Sequence, residues 1–427
     1  MVMHNTEFKE KLFHKVDHNG HRMLSVLTWT IAATLIGVLV GLFATAFGLS
    51  MRRVISIRES NPWLIFFLPI GAVIITFIYK LVLKTKDSGT NTVIAAIQSD
   101  ERLPFRLAPL IFVGTLLTHL VGGSAGREGA ALQMGGAIGN GIGRVLKLNS
   151  TDKKTMIMCG MSAAFSALFG TPMAAAIFSM EVISVGIMHY AALVPCVISS
   201  LIARAIASYF GLNAEEYIID AIPKFGIKTS IIISIFAILC GLVSILFCTC
   251  LHRYEDFLST KLTNPYIKSI IGGTSVLILT LLVGSQTYNS TGSAIIASCF
   301  TGATIGLQAF LLKIIFTTLT LSCGYKGGEI VPTLFIGATF GAAMGPILGM
   351  PASLMAAVGM GALFCGVTNC PISSLLICFE LFGYDAMPYF LLAVAFSYWV
   401  SGYTGLYKSQ KIVYSKYKSN YIDKHVH

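Results

Sequence analysis

The sequence predicts an all-α, polytopic membrane protein built from two inverted repeats, with many tilted and broken helices. Three observations predict it. Charge is scarce: of 427 residues, 55% are hydrophobic and 11% charged, and mean hydropathy is +0.76, whereas a soluble domain carries about 25% charged residues. Apolar runs recur along the whole chain. Finally, the chain repeats itself. The stretch GMSAAFSALFGTPMAAAIFSME (160–181) aligns with GMGALFCGVTNCPISSLLICFE (359–380) at a fixed offset of 199, which pairs Phe165 with Phe364, Pro172 with Pro371 and Glu181 with Glu380. Gly126-Arg127-Glu128 pairs with Gly327-Gly328-Glu329 at an offset of 201. Two such halves, broken at matching places, mark a transporter-type duplication.

The segments follow in order. Residues 1–23 read as a polar, basic, cytoplasmic lead-in (Lys9, Lys11, Lys15, Arg22), with no secretory leader expected. The first repeat spans 24–212. In it, Leu24 to Leu49 and Trp63 to Leu83 are long enough to cross a bilayer, since about 20 apolar residues suffice. A polar break over 84–92 precedes a short apolar run, Leu107 to Val121, and the run 156–188 is interrupted at Gly170-Thr171-Pro172. A further span to Phe210 and a polar linker (213–228) end this half. The second repeat, 229–407, follows the same plan, with interruptions at 324–332 and at Asn369-Cys370-Pro371; a basic tail, 408–427, closes the chain. Both tails carry excess lysine and arginine, so both are expected in the cytoplasm, with an even number of crossings. That placement also accounts for the net charge of +11 without nucleic acid. The ten cysteines show no metal-ligand spacing and read as small core residues. No clustered nucleophile, HExxH motif or paired acid and base points to an enzyme, and no cofactor or metal is expected.

The stretch 122–143, GGSAGREGAALQMGGAIGNGIG, holds the candidate site. It sets Arg127 and Glu128 beside a run that contains His119 and no other acid or base. Charge at membrane depth has a partner or a task. Duplicated transporters bring half-helix N-termini together near the midplane. Each carries unpaired N–H groups and about half a positive charge, which makes an anion site. Candidate N-termini lie near Gly129, Pro172, Pro332 and Pro371. Arginine and lysine clamps are scarce, so the expected substrate is a small anion held by backbone N–H groups.

GREGA (126–130), GGEIVPTLFIGA (327–338) and the paired helices ending in Glu181 and Glu380 resemble the CLC family of anion channels and anion/proton antiporters. The resemblance runs from about residue 24 to 410. It implies a CLC-like fold of about 18 helices per subunit and a homodimer in the bilayer, with one anion pathway in each subunit. It also implies that Glu128 is the gating and proton-transfer carboxylate, with Arg127 as support. The family's anion-site motifs fall on Thr90, Asn91, Gly126, Arg127, Gly129, Glu329, Ile330, Val331 and Asn369, and its pathway tyrosine on Tyr407 or Tyr403. Four positions depart from the common chloride members: SGTNT at 88–92, Val182 where many antiporters carry an internal proton glutamate, Glu329 where an apolar residue is usual, and Asn369. They resemble the fluoride-exporting bacterial branch, so a fluoride/proton antiporter is expected. A chloride/proton antiporter and a passive anion channel stay open as alternatives. Glu181 and Glu380 are expected to bond buried backbone, and His119 to be a satisfied core histidine. Glu329 stays open between a structural role and a second carboxylate on the anion–proton route.

Overall fold

The computed structural model describes residues 3–83, 88–99, 101 and 103–426, with side chains from residue 23 onward. The side chains of the basic lead-in, the break residues 84–87 and Arg102 lie outside the described residues. The first half comprises α1 (Met3–Ser60), α2 (Leu68–Val82), α3 (Thr90–Ser99), α4 (Leu107–Leu120), α5 (Glu128–Val145), α6 (Ser150–Phe169), α7 (Pro172–Glu181) and α8 (Leu193–Tyr209). The second comprises α9 (Ile227–Lys261), α10 (Pro265–Val283), α11 (Ser293–Ser298), α12 (Gln308–Ser322), α13 (Ile330–Leu348), α14 (Ala352–Thr368), α15 (Pro371–Phe382) and α16 (Met387–Val400). The halves correspond helix for helix. Among the described residues, six helical stretches are long and apolar enough to cross a membrane. Leu24, Leu27, Ile31, Phe66, Ile70 and Phe77 lie exposed along α1 and α2 and the turn between them, as lipid-facing side chains do. The protein is a multi-pass membrane protein.

The breaks fall where the sequence has helix-stopping chemistry. Gly170 ends α6 at φ +83°, and Pro172 opens α7. In the second half Asn369 takes the equivalent left-handed position at φ +58°, and Pro371 opens α15. Proline suits the first helical turn because that turn's N–H groups have no intrahelical acceptor.

The core consists of two equivalent helix pairs, α5 with α6 and α13 with α14, in backbone contact. A Cβ on Gly135 would stand 2.0 Å from the Gly160 carbonyl oxygen, and one on Gly337 would stand 2.4 Å from that of Gly359. No side chain fits there, so glycine sets how closely the helices approach.

Two expectations change, and the tail carries structure of its own. The first span continues without a break to Ser60, past Leu49. The stretch 88–92, read as part of a polar break, contains the start of α3 at Thr90. The basic tail is folded: β2 (Lys411–Tyr414) pairs antiparallel with β3 (Tyr421–His425) and parallel with β1 (Ser184–Val185). Lys416 points inward, donating to Asn369 Oδ1, Tyr398 O and Ser401 Oγ, with its ammonium over the Tyr398 ring. Its charge is held by an amide, a carbonyl and a hydroxyl oxygen.

Candidate functional site

Two glycine loops meet at the centre. Gly126 N–H donates to Gly328 O at 2.7 Å, and Gly328 N–H donates to Gly126 O at 2.8 Å. This two-bond bridge fixes the starts of α5 and α13 face to face. Each start carries a carboxylate: Glu128 is the first residue of α5, and Glu329 caps α13. The start of α3 lies against both. A Cβ on Gly129 would stand 3.3 Å from Thr90 Oγ1, 3.2 Å from Glu329 Oε2 and 2.8 Å from Gly328 Cα. Three helix N-termini and two side-chain oxygens therefore converge on one glycine.

The polar groups here are unusually idle. Thr90 Oγ1, Gln133 Oε1, Glu329 Oε2 and the Tyr407 hydroxyl are buried without a hydrogen-bond partner. Buried polar atoms are nearly always paired, so an unpaired cluster needs a reason. Gln133 follows Gly129 by one helical turn and donates to its carbonyl at 3.3 Å. The Tyr407 ring is fully buried and lies within electrostatic range of Glu329. The Thr90 and Tyr407 hydroxyls can donate to a small anion, as can the Glu329 carboxyl when protonated, and among the described residues none of these three oxygens has a hydrogen-bond partner.

Glu128 is the contrasting carboxylate. It is 1% exposed and curls back over the start of its own helix. Its Oε2 accepts from Arg127 N–H at 3.1 Å, and its Oε1 lies 3.3 Å from Arg127 Nε. Adjacent side chains more often point apart than pair. The tight glycine loop instead lets Arg127 and Glu128 close a small ring. A second guanidinium nitrogen, Nη2, reaches Glu215 Oε1 at 3.4 Å.

Two cavities approach this centre from opposite faces. One, of about 310 Å³, holds Glu128, Arg127, Glu215, Tyr217, Arg52 and Glu59 on its wall. It lies under the linker that precedes α9. The other, of about 330 Å³, opens beside the far end of α9 and the loop before β2, where Glu255, His252 and Lys408 line it. At 35 residues, α9 is about 50 Å long and separates the two mouths. The second cavity reaches Glu329, Asn91 and Gln133. Glu128 and Glu329 thus line different cavities.

Several candidate residues are engaged elsewhere. The Gly126 N–H belongs to the loop bridge and is not free for an anion. Asn369 donates to Thr404 O and Gln410 Oε1 and accepts from Lys416, so its amide fastens the tail. Asn91 lines the second cavity, but its Oδ1 accepts from Ser409 N–H at 2.9 Å, tying α3 to the loop after Tyr407. The Tyr403 hydroxyl pairs with Ser415 Oγ at 2.7 Å within the hairpin cluster, away from the centre. Tyr407 is therefore the tyrosine at the site. Ile330 and Val331 form the first turn of α13, with Val331 on the wall of the first cavity.

The helix starts at Pro172 and Pro371 are filled. Glu380 accepts from Met173 N–H and Ala174 N–H, both at 2.9 Å. Glu181 accepts from Ile372 N–H at 3.1 Å, from Ser373 N–H at 2.8 Å and from the Ser373 hydroxyl. Each half supplies the carboxylate that caps the other half's helix, so these two of the four candidate N-termini offer no anion site. Val182 is fully buried, and its carbonyl accepts from Gln410. His119 is half satisfied: Nδ1 pairs with Ser290 Oγ at 2.7 Å, while Nε2 has no partner.

Sequence reasoning missed Gln133, the N-terminus of α3 and Glu215. Gly89, at φ +67°, turns the chain immediately before Thr90, and the cluster Ser88-Gly89-Thr90-Asn91 is a readable loop-to-helix signal. Gln133 shares a helix face with Gly129, a spacing also visible in the sequence. Nothing local to Glu215 reveals that it reaches Arg127.

Known proteins place this architecture. The voltage gated chloride channel family description matches residues 70–402. A chloride/fluoride channel protein of Pseudomonas syringae pv. tomato is 33% identical over 398 residues, covering 92% of this chain and 88% of that protein. The crystal structure of a CLC-type fluoride/proton antiporter superposes with a TM-score of 0.86 at 32% identity, covering 90% of this chain and 98% of that one. A slow cyanobacterial chloride/proton antiporter shares the fold at 20% identity, with a TM-score of 0.75 over 87% of this chain and 94% of that one. A duplicated fold with glycine-loop helix starts meeting at its centre, matched along most of its length, makes this chain a member of the CLC family of anion channels and transporters.

Proposed function

We propose that the protein exports fluoride from a bacterial cytoplasm in exchange for protons, as a homodimer in the inner membrane with both termini cytoplasmic. The observation that carries this reading is the idle donor and acceptor set at the centre. Thr90 Oγ1, Glu329 Oε2 and the Tyr407 hydroxyl are buried and unpaired beside the open first turns of α5 and α13. A small, strongly hydrated anion needs short, strong donors to replace its water. Hydroxyls, first-turn N–H groups and a protonated carboxyl supply them.

The two carboxylates give the coupling. A carboxylate and an anion cannot share one site while both are charged. When the Glu329 carboxyl is protonated, its O–H donates to the anion. When the anion leaves, the proton can depart. Glu128 acts the same way at the other opening: protonated, it lets go of Arg127 and yields its position; ionised, it returns to the guanidinium and the Arg127 N–H. Protons arriving from outside thus meet Glu128 first, and those leaving inward depart from Glu329.

The inward route follows the second cavity. The position of the internal glutamate of other antiporters is Val182, which is buried and covered by Gln410 and the β1–β2 pairing. Glu329 shares its cavity with Glu255, His252 and Lys408, which offers a watery exit beside the anion's own entrance. The names of two similar proteins, a chloride/fluoride channel protein and a CLC-type fluoride/proton antiporter, support fluoride as the anion.

Purified protein in liposomes tests the reading. Fluoride is expected to leave at least tenfold faster than chloride, and an outward fluoride gradient to drive proton uptake. Equal fluoride and chloride fluxes would remove the fluoride assignment. Fluoride flux without proton movement would make the protein a passive channel.

A further inference from the structure

The linker between the halves lies over the outer cavity, and it and the two residues before it are tied down by three guanidinium groups. Arg52 donates to the carbonyls of Gly211 (3.0 Å) and Asn213 (3.2 Å), and Arg204 donates to that of Leu212 (3.1 Å). The third is Arg127, which Glu215 of the linker meets at 3.4 Å. Glu215 is itself held, because its other oxygen accepts the Tyr217 hydroxyl at 2.7 Å. Tyr217 is anchored in turn. Its ring stacks on Phe300 with centroids 4.8 Å apart, and its N–H donates to Leu381 O at 3.4 Å.

The Arg127 fork is therefore divided between two carboxylates of different character. Glu128 opens α5 at the pathway, with Gly126 and Gly129 close by in the chain. Glu215 is fastened through Tyr217 to an aromatic cluster. If Glu128 were the sole partner, each departure would leave a buried guanidinium unpaired, a costly state. A fixed second carboxylate removes that cost and weakens the hold on the first.

We propose that Glu215 is a positioning residue: an outer latch that keeps Arg127 in place and lets Glu128 leave it. The inference rests on the antiport reading above. The other ionisable groups around this site are Arg52 and Glu59 from α1, on the cavity wall, Arg204 from α8, Glu216 and Tyr217 from the linker, and His119 from α4. None of these places a second carboxylate on Arg127.

Removing the Glu215 charge leaves Arg127 to Glu128 alone and favours the ionised, retained gate. Protonation of Glu128 then needs more acid. In proteoliposomes, the external pH of half-maximal fluoride flux is expected to move to lower pH in Glu215→Gln, by about half a unit or more. Glu215→Asp, which keeps the charge, is expected between Gln and wild type. Tyr217→Phe, which frees Glu215 but keeps both charges, should shift the profile in the same direction by less. An unshifted or alkaline-shifted profile in Glu215→Gln overturns the latch. Where that variant does not give folded protein, a wild-type profile in Tyr217→Phe overturns it. The two ideas fail separately. Wild-type fluoride flux without protons sinks the antiport reading, whereas intact coupling with an unmoved profile sinks the latch alone.

Discussion

Four half-helix starts repeat across the two halves, and a carboxylate stands at each, yet the pairs behave oppositely. At the lateral pair, α7 and α15, Glu380 and Glu181 are fully bonded to the first-turn N–H groups of the opposite half. At the central pair, α5 and α13, the carboxylates belong to the helix starts themselves. Glu128 holds to its neighbour Arg127, and Glu329 Oε2 holds to nothing. A carboxylate filling a helix N-terminus neutralises it permanently and locks the halves together. One that sits beside an open N-terminus leaves room for a competing anion. The same dipole chemistry is thus structural at the flank and, on the proposed function, available for transport at the centre.

Substitutions can break that contrast. After loss of the Glu128 carboxylate, the largest effect is expected from Glu329→Gln, which keeps size but removes the titrating group. Fluoride-driven proton uptake should fall on the order of tenfold or more, with the melting temperature little changed, as checked by paired flux and thermal unfolding in detergent. At the lateral pair the outcome should invert. Glu181→Gln should retain the wild-type ratio of protons to fluoride but lose about 2 kcal/mol of stability, read as a lower melting temperature. Glu380→Gln should lose less, because Glu380 makes two bonds where Glu181 makes three and is less buried. The smallest effect separates the tyrosines. Tyr407→Phe should slow fluoride flux severalfold, while Tyr403→Phe, whose hydroxyl serves the hairpin, should leave the flux unchanged.

Much of this was legible in the sequence. Proline and glycine spacing located the breaks, since Gly170-Thr171-Pro172 and Asn369-Cys370-Pro371 can be little else in apolar helices. The fixed offset of the repeats foretold that Gly126 and Gly328 loops would face each other. The capping role of Glu181 and Glu380 was expected, although their exchange between halves was not. What escaped reading depends on contacts distant in sequence. Asn369 was a candidate anion donor, but its amide hydrogens go to Thr404 O and Gln410 Oε1, and its oxygen accepts from Lys416 of the tail. Gly126 lost its N–H to the partner loop. The Arg127–Glu128 pairing runs against the general tendency of neighbours to diverge and follows from the sharp loop at that point.

One side-by-side measurement tests the contrast most directly. Glu128→Gln and Glu181→Gln are reconstituted at equal amounts of folded protein, and proton uptake driven by an outward fluoride gradient is followed in each. Proton uptake is expected to vanish in Glu128→Gln and to persist at the wild-type proton-to-fluoride ratio in Glu181→Gln. Persistent coupling in Glu128→Gln, or its selective loss in Glu181→Gln, would contradict the assignment of transport to the central helix starts.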